Sequence, residues 1–532
     1  MITPKYKVVI PCAGIGQRLA HKTSRINKAL ITVGNKPAIC HVIEKFPESC
    51  EIVIILGYKG DQVKEVVSAF YPKRSVVYVD VDKFEGPGSG LGYSLLKAKE
   101  HLNCPFIFVP NDSLVVHENI ALDPTSHGNW LAYYKKQTGD GFRVSNYRTI
   151  TKLNDDVVNI NSKGIFEEDI YIGICGVLDH NEFWQSMIER AESIEVGEAM
   201  GLSGLKTLRA VEIKGWYDCG SLESLEIAQA ALKNPEMNIL DKEDEAIWFA
   251  DGTVIKFSVD QDFISDRLKR LENLPTELFP KIINSGNYFY QYNFLEGSVF
   301  SSATDVPAFL ELLEICWNEL WRHKPNQSKD PQGLVEKFYR LKTEDRLRHY
   351  LKRYEQKESE ILINGVAVPP VEALLKQVDW LEVSEKTRFS RFHGDLHGEN
   401  IIVGLDGRFK LIDWRQNFGA GEYEFGDTYY DLAKILHGLI VNHGQVEKGN
   451  FSIFTKGSKN FQIDILRLNS LVSAERALRK WCDKTKYDFQ HVKLITALIY
   501  INICGLHDWP YAQFLYLLGR SELYKCLLAE DY

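Results

Sequence analysis

The residues best placed by type and spacing to do chemistry are His393-Gly394-Asp395, Asn400 and Asp413. All lie within one stretch, RFHGDLHGENIIVGLDGRFKLIDW, from Arg391 to Trp414. Two apolar runs, Ile401-Ile402-Val403 and Phe409 to Ile412, flank Asp406-Gly407. Asp-Gly between apolar runs predicts a hairpin turn. Asp395 and Asn400 then sit on the loop entering the hairpin, and Asp413 sits where it exits. Three oxygen-bearing side chains converge on one point. Phosphoryl transfer from ATP needs such a point. One carboxylate orients an acceptor hydroxyl, and a carboxylate with an amide oxygen holds Mg2+ against the phosphates. Isolated Asp and Asn are common in turns. The ordered set H-G-D-x-x-x-x-N followed by hydrophobic-I-D is far rarer than any member alone.

These residues resemble the aminoglycoside phosphotransferase and choline kinase family, kinase-like enzymes that phosphorylate small molecules. The resemblance implies Asp395 as catalytic base, and Asn400 and Asp413 as Mg2+ ligands. It also gives a role to the hairpin signal Ile247-Trp248-Phe249, Asp251-Gly252, Val254 to Phe257. That segment resembles the first strands of a kinase-like N-lobe, with Lys256 pairing the phosphates and Asp266 or Glu272 as its acidic partner. Tyr292-Asn293-Phe294-Leu295-Glu296-Gly297 resembles the hinge beside adenine, which brings Glu296 into the nucleotide site. From Pro307 apolar residues recur at spacings of three and four, as a helical C-lobe requires. Asp427 and Asp431 are expected to brace the catalytic loop. Trp481, His507, Trp509, Tyr511 and Phe514 read as helical core; the alternative is a cage for a quaternary ammonium.

The other end of the chain has a separate chemistry. Lys7 to Pro11 is a short buried-strand signal running into Cys12-Ala13-Gly14-Ile15-Gly16-Gln17-Arg18. Glycines after a strand let the backbone turn tightly and approach a phosphate closely. Lys28 follows in Asn27-Lys28-Ala29-Leu30, then Gly34-Asn35-Lys36-Pro37. This order resembles the signature of nucleotidyltransferases that make nucleotide sugars. It implies that Ala13, Gly14 and Gly16 wrap a nucleotide, and that Arg18 and Lys28 act catalytically on the charge developing at the α-phosphorus. The loop Gly86-Pro87-Gly88-Ser89-Gly90-Leu91-Gly92 resembles the base-binding loop of sugar-nucleotide pyrophosphorylases, with Gly88 and Gly90 against the ring. Asp112 and Asp218, the latter in a W-x-D-x-G-S run, are the implied Mg2+ ligands. Tyr171 to Val177 resembles the strand lining the sugar pocket.

Elements must position all of this. Alternating strand and helix signals through residue 232 argue a mixed, mostly parallel sheet with helices on both faces, a Rossmann-like α/β domain. Gly14, Gly57 and Asp112 fall at strand carboxyl ends, where ligands gather. The domain boundary is expected at residue 236: a nucleotidyltransferase domain over 1–236, then a two-lobed protein-kinase-like domain over 237–532. Its N-lobe would span about 244–300 and its C-lobe about 301–532.

Composition bounds the rest. A chain of 532 residues is too long for one ordinary core. Its net charge of −9, from 63 basic and 72 acidic residues, points away from nucleic acid and from a polybasic membrane anchor. No stretch approaches the ~18 apolar residues of a membrane span, and the N-terminus lacks a signal-peptide pattern. The ten Cys show no C-x-x-C pair. The expectation is a cytoplasmic protein with reduced thiols; homo-oligomerisation stays open.

Taken together, these features predict a bifunctional enzyme using ATP, a second NTP and Mg2+. The kinase would phosphorylate a small hydroxyl compound, and the nucleotidyltransferase would activate the resulting phosphate. The glycine-rich loop favours a sugar, phosphorylated at its anomeric hydroxyl; choline, ethanolamine or another small alcohol is the alternative acceptor. The resemblance suggests cell-surface polysaccharide (capsule) synthesis as the pathway. A sensing or scaffold protein built on inactive folds would have lost its acidic and basic residues, yet Asp112, Asp218, Asp395, Asn400 and Asp413 are all present. One catalytic domain beside one regulatory domain is a further alternative.

Overall fold

In the computed structural model, residues 5–137, 140–165, 168–190, 197–233, 244–302, 305–322, 330–419 and 422–528 are described. Continuous apolar runs become strands buried on both faces. Ile52–Leu56, with sequence IVIIL, is wholly buried. It pairs in parallel with Lys7–Cys12 on one side and Val76–Asp80 on the other. Lys7–Cys12 also pairs in parallel with Phe106–Phe108. Five further strands extend this into a nine-stranded sheet. The parallel run is confined largely to those first four strands. Asp169–Val177 joins Phe106–Phe108 in antiparallel fashion, so the sheet is mixed. The amphipathic helix Gly60–Phe70 buries Val63, Val66, Val67 and Phe70 in the core that also holds Ile52 and Ile54.

The chain divides into two compact units, Met1–Gln261 with Ile282–Phe294, and Asp262–Lys281 with Leu295–Tyr532. The boundary expected at residue 236 falls within residues 234–243, outside the described residues. The four-stranded sheet built from Glu245–Ala250, Thr253–Ser258, Phe289–Asn293 and Ile282–Ser285 clusters with the first unit. Trp248 explains why. It is fully buried, its ring lies 6.1 Å from Phe70, and its Nε1 donates to Thr32 Oγ1 at 2.9 Å. Glu65 adds a polar clamp, accepting from Asn287 Nδ2 at 2.6 Å and Tyr288 N at 3.1 Å.

In the second unit the expected hairpin forms. Ile401–Gly404 pairs antiparallel with Phe409–Leu411, and Gly407 takes a left-handed φ of 78° at the turn. The unit is otherwise largely helical, with Val306–Cys316, Lys342–Arg353, Thr428–Ile440, Asn469–Thr485, Phe489–Cys504 and Tyr511–Leu527 its main helices. The tail aromatics divide between packing clusters. Trp481 packs with Trp317, Trp321 and Tyr487, whereas Tyr511 packs with Phe451, His507 and Phe514. Trp509 packs on Tyr354. Among the described residues these rings form packing clusters rather than one cage. No helix among the described residues is long and apolar enough to cross a membrane.

Candidate active sites

In the first unit, the strand Lys7–Cys12 delivers the glycine loop at its carboxyl end. Buried Ala13 offers its carbonyl to Tyr58 N at 3.0 Å. A Cβ on Gly57 would stand 2.8 Å from that same carbonyl, so the two loops meet backbone to backbone. Gly16 takes a left-handed φ of 71°, and a side chain there would press into Thr23. Gly14 has open space where a Cβ would stand, which leaves its backbone approachable.

Lys28 is aimed by its neighbour. Asn27 is fully buried and donates to the carbonyls of Cys12 and Tyr58 at 2.9 and 2.6 Å. Its Oδ1 accepts from Ala29 N at 2.9 Å and so caps the short turn Lys28–Leu30. Sequence reasoning passed over Asn27; an Asn at a helical start is the cap signal that would have found it.

Lys28 Nζ meets Asp112 Oδ2 at 2.8 Å, and Arg18 Nη2 lies 4.0 Å from the same oxygen. Asp218 reaches this place through strand pairing. Trp216–Asp218 runs antiparallel to Ser113–Val115 with Asp218 opposite Ser113, and Cys219 N donates to the Asp112 carbonyl at 2.8 Å. Tyr147 and Ser224 hydroxyls each donate to Asp218 Oδ2 at 2.9 Å. Burial alone would raise the Asp112 pKa, but Lys28 and Arg18 outweigh it and hold the carboxyl below its ordinary range. Asp218 is pushed up, first by burial and then by the charge of Asp112.

Gly220 marks the centre of this site. A Cβ there would stand 2.7 Å from Arg18 Nη2, 2.9 Å from Asp112 Oδ2 and 3.0 Å from Asp218 Oδ1. The two carboxylates therefore border a space the size of one methyl group. Two carboxylates and no more suit Mg2+, which keeps several waters and takes its remaining ligands from phosphates. No group of three His, Cys, Asp or Glu gathers as a metal cage among the described residues. The adjoining cleft, about 430 Å3, is lined by Gly14, Gly16, Arg18, Lys28, Gly86 and Gly220, with Ser89 beside them. It is Gly86 and Ser89 that line it, while Gly88 faces Lys83 Nζ and Gly90 precedes the helix Leu91–Ala98.

This geometry gives a sharp expected outcome. Gly220→Ala puts a methyl group into the space between the carboxylates and Arg18. Nucleotidyl transfer should fall by about tenfold or more, the scale of one lost hydrogen bond to a charged group. The melting temperature should hold, because Gly220 has no left-handed φ for alanine to strain. Steady-state kinetics alongside a melt checks this; unaltered turnover would remove Gly220 from the site.

In the second unit, the hairpin brings its ends together as the spacing requires. Ile412 N donates to the Asn400 carbonyl at 2.9 Å, which sets Asn400 beside Asp413. Asn400 Nδ2 donates to the Asp395 carbonyl at 2.9 Å and to Asp395 Oδ2 at 3.3 Å. With its nitrogen so engaged, the amide oxygen of Asn400 is the atom suited to a cation. Asp413 adopts a left-handed φ of 60°, a strained conformation for a non-glycine residue. It pairs with the guanidinium of buried Arg267, a residue the sequence did not single out.

His393 is a clamp, not an acid. Its Nε2 donates to the Ile412 carbonyl at 2.9 Å, and its Nδ1 accepts from Asp395 N at 3.1 Å. Burial pushes its pKa down to about 3, so the ring is neutral and that tautomer is fixed. Asp431 braces the loop from below, accepting from His393 N at 2.7 Å and Gly394 N at 2.6 Å. Asp427 caps the helix Thr428–Ile440 and accepts from the Tyr339 hydroxyl at 2.8 Å. Asp395 itself meets Lys434 Nζ at 2.6 Å. Burial would raise the Asp395 pKa, yet Lys434 and His397 hold it well below the carboxylate range. Lys434 was also missed, although Asp431, Lys434 and His437 share one helix face at spacings of three.

Lys256 lies in the first unit, buried, with Glu245 Oε2 at 3.4 Å. Asp266, one of its two expected partners, stands 3.6 Å from Lys269. Glu296 is exposed, near the start of the second segment of the second unit, which resumes at Leu295.

Comparison with known proteins finds different relatives for the two ends of the chain. Residues 274–450 match the phosphotransferase enzyme family. The N-terminal region matches nucleotidyltransferases. A bifunctional protein GlmU of Methanococcus vannielii is 25% identical over 230 residues, covering 40% of this chain and 51% of that protein. A choline-phosphate cytidylyltransferase of Streptococcus pneumoniae is 29% identical over 159 residues, 29% of this chain and 64% of that protein. A solved CTP:phosphocholine cytidylyltransferase of the same species covers 43% of this chain and 100% of its own, at 20% identity and a TM-score of 0.35. The chain spans about half the length of the GlmU relatives it matches. It thus combines a nucleotidyltransferase-like region with a phosphotransferase-like region, both resembling enzymes.

Proposed function

We propose that this protein carries out two successive transfers. In the first, the hydroxyl oxygen of a small compound attacks the γ-phosphorus of ATP. The bond from that phosphorus to the bridging oxygen of ADP breaks, and the hydroxyl proton leaves by way of Asp395. The low pKa of Asp395 makes it an orienting acceptor more than a strong base. In the second, an oxygen of the new phosphate monoester attacks the α-phosphorus of an NTP, and pyrophosphate departs. Lys28 and Arg18 face the charge that grows on the departing phosphates. Mg2+, held by Asp112 with Asp218 and by Asn400 with Asp413, would neutralise phosphate charge in each site. The observation that carries the reading is the ring of Arg18, Asp112 and Asp218 around Gly220 at the mouth of the glycine-lined cleft.

The favoured acceptor is a sugar, phosphorylated at its anomeric hydroxyl, and the product an NDP-activated precursor for cell-surface polysaccharide in the cytoplasm. The division into 1–236 and 237–532 is part of this reading. Choline-type acceptors are the second reading, supported by the name of the S. pneumoniae relative. The test is a product screen by mass spectrometry. Sugars and amino alcohols are offered with Mg-ATP, and each phosphorylated product is then offered with each NTP. A phosphate monoester followed by an NDP-linked product is the expected result. Absence of both across the panel would overturn the reading.

A further inference from the structure

The catalytic aspartate sits among more positive charge than phosphoryl transfer to a neutral or cationic acceptor requires. Lys434 is the nearest cation, buried and 2.6 Å from Asp395. Arg415 follows the hairpin, and its stem packs on the motif glycine: a Cβ on Gly394 would stand 2.6 Å from Arg415 Cβ. Its guanidinium then lies over the Phe338 ring, 4.9 Å from the centroid. Lys342, from the helix Lys342–Arg353, puts its Nζ over that same ring at 4.7 Å. Arg346 stands one turn further along this helix.

The balance of charge here is one-sided. Among the described residues, Lys342, Arg346 and Arg415 have no carboxylate in ion-pair contact, whereas the half-buried Arg340 on the preceding turn has two, Glu336 and Glu344. The Nε of Arg415 is sealed from solvent and meets no hydrogen-bond partner among the described residues. Both ring nitrogens of His437, one turn beyond Lys434, are likewise buried and unpartnered. Burial and the neighbouring cations Arg415, Lys434 and Arg346 hold the Lys342 pKa well down. Clustering cations without acids costs free energy unless an anion completes the set. Asp395, the carboxylate whose charge acts on Lys342, is already met by Lys434.

We infer that the acceptor of the phosphotransferase site carries an anionic group, a carboxylate or a phosphate, which Lys342, Arg346 and Arg415 hold while its hydroxyl is presented to Asp395. This rests on the phosphotransferase reading above and narrows it: a hydroxy acid, sugar acid or sugar phosphate fits, and a quaternary or primary amino alcohol is repelled. The transfer keeps the balance already given, with the anionic group a bystander.

The test measures Asp395-dependent ATP consumption by the full-length protein with acceptors matched except for charge. They are a neutral sugar, its uronic acid, its phosphate monoester, and choline or ethanolamine. The anionic members should be preferred by about tenfold or more in kcat/KM, and comparison of carboxylate with phosphate identifies which anion is used. Lys342→Gln and, separately, Arg346→Gln should raise KM for that acceptor and leave KM for ATP in place, with melting curves as a folding control. Arg415→Gln serves as a third variant. Preference for neutral or cationic acceptors, with KM indifferent to Lys342→Gln and Arg346→Gln, would overturn the inference and leave the kinase standing. No ATP consumption that depends on Asp395 would overturn the kinase reading itself, and the inference with it.

Discussion

Replacing Asp395 by Asn should cut ATP-dependent phosphorylation by roughly 10²- to 10⁴-fold, the range of a positioned proton acceptor. Nucleotidyl transfer from a pre-made phosphate should continue unchanged. The structural ground is that Asp395 belongs to the second compact unit, while Arg18, Lys28, Asp112 and Asp218 belong to the first. The substitution also leaves Lys434 without its partner. Asp395 is 35% exposed, so solvent screens the pair and the expected stability loss is about 1–3 kcal/mol. A double variant, Asp395→Asn with Lys434→Met, separates the two effects. It should regain stability without regaining activity. Loss of both reactions in protein that melts normally would contradict two independent sites.

Asp112→Asn should be as damaging on the other side. It keeps the shape of the side chain but removes the charge that receives Lys28 at 2.8 Å and Arg18 at 4.0 Å. It also removes one of two carboxylates bordering the Gly220 space. Turnover in nucleotidyl transfer should drop by about 10²- to 10³-fold, the scale of one lost electrostatic contact made in the transition state. The Mg2+ concentration for half-activity should rise. A second readout follows from charge coupling. Asp112 helps push the Asp218 pKa up, so in the Asp112→Asn variant the acidic limb of the pH profile should move to lower pH. Full turnover at limiting Mg2+ would remove Asp112 from the site.

Much of the second unit's candidate site was legible because its motif residues are close in sequence. Asn400 and Asp413 meet through a hairpin whose Asp-Gly turn is written between two apolar runs. The strand Ile52–Leu56 and the helix near residues 60–70 follow from apolar runs and periodicity alone. What the sequence hid was partnership at long range. The hairpin signal marks Ile247-Trp248-Phe249 as a strand without saying what it packs on; Trp248 packs on Phe70 and Thr32, so the sheet read as a kinase N-lobe clusters with the nucleotidyltransferase-like unit. Arg267 and Lys434 each meet a motif carboxylate across a separation no local pattern records. Asn27 acts on Lys28 by holding two distant carbonyls. Gly220 counted as part of a motif, but its role as the space between carboxylates exists only in three dimensions.

The most direct test of the central claim is 31P NMR of one reaction containing wild-type protein, Mg-ATP, an NTP and the acceptor found in the product screen. A phosphate monoester should appear first, followed by a nucleoside diphosphate-linked product and pyrophosphate in equal amounts. With Asp395→Asn the same mixture should yield neither, until the pre-made monoester is added and pyrophosphate release resumes. Two results would contradict two coupled transfers on one chain: pyrophosphate released by the Asp395→Asn variant from the unphosphorylated acceptor, or a monoester that accumulates without ever being consumed by wild-type protein.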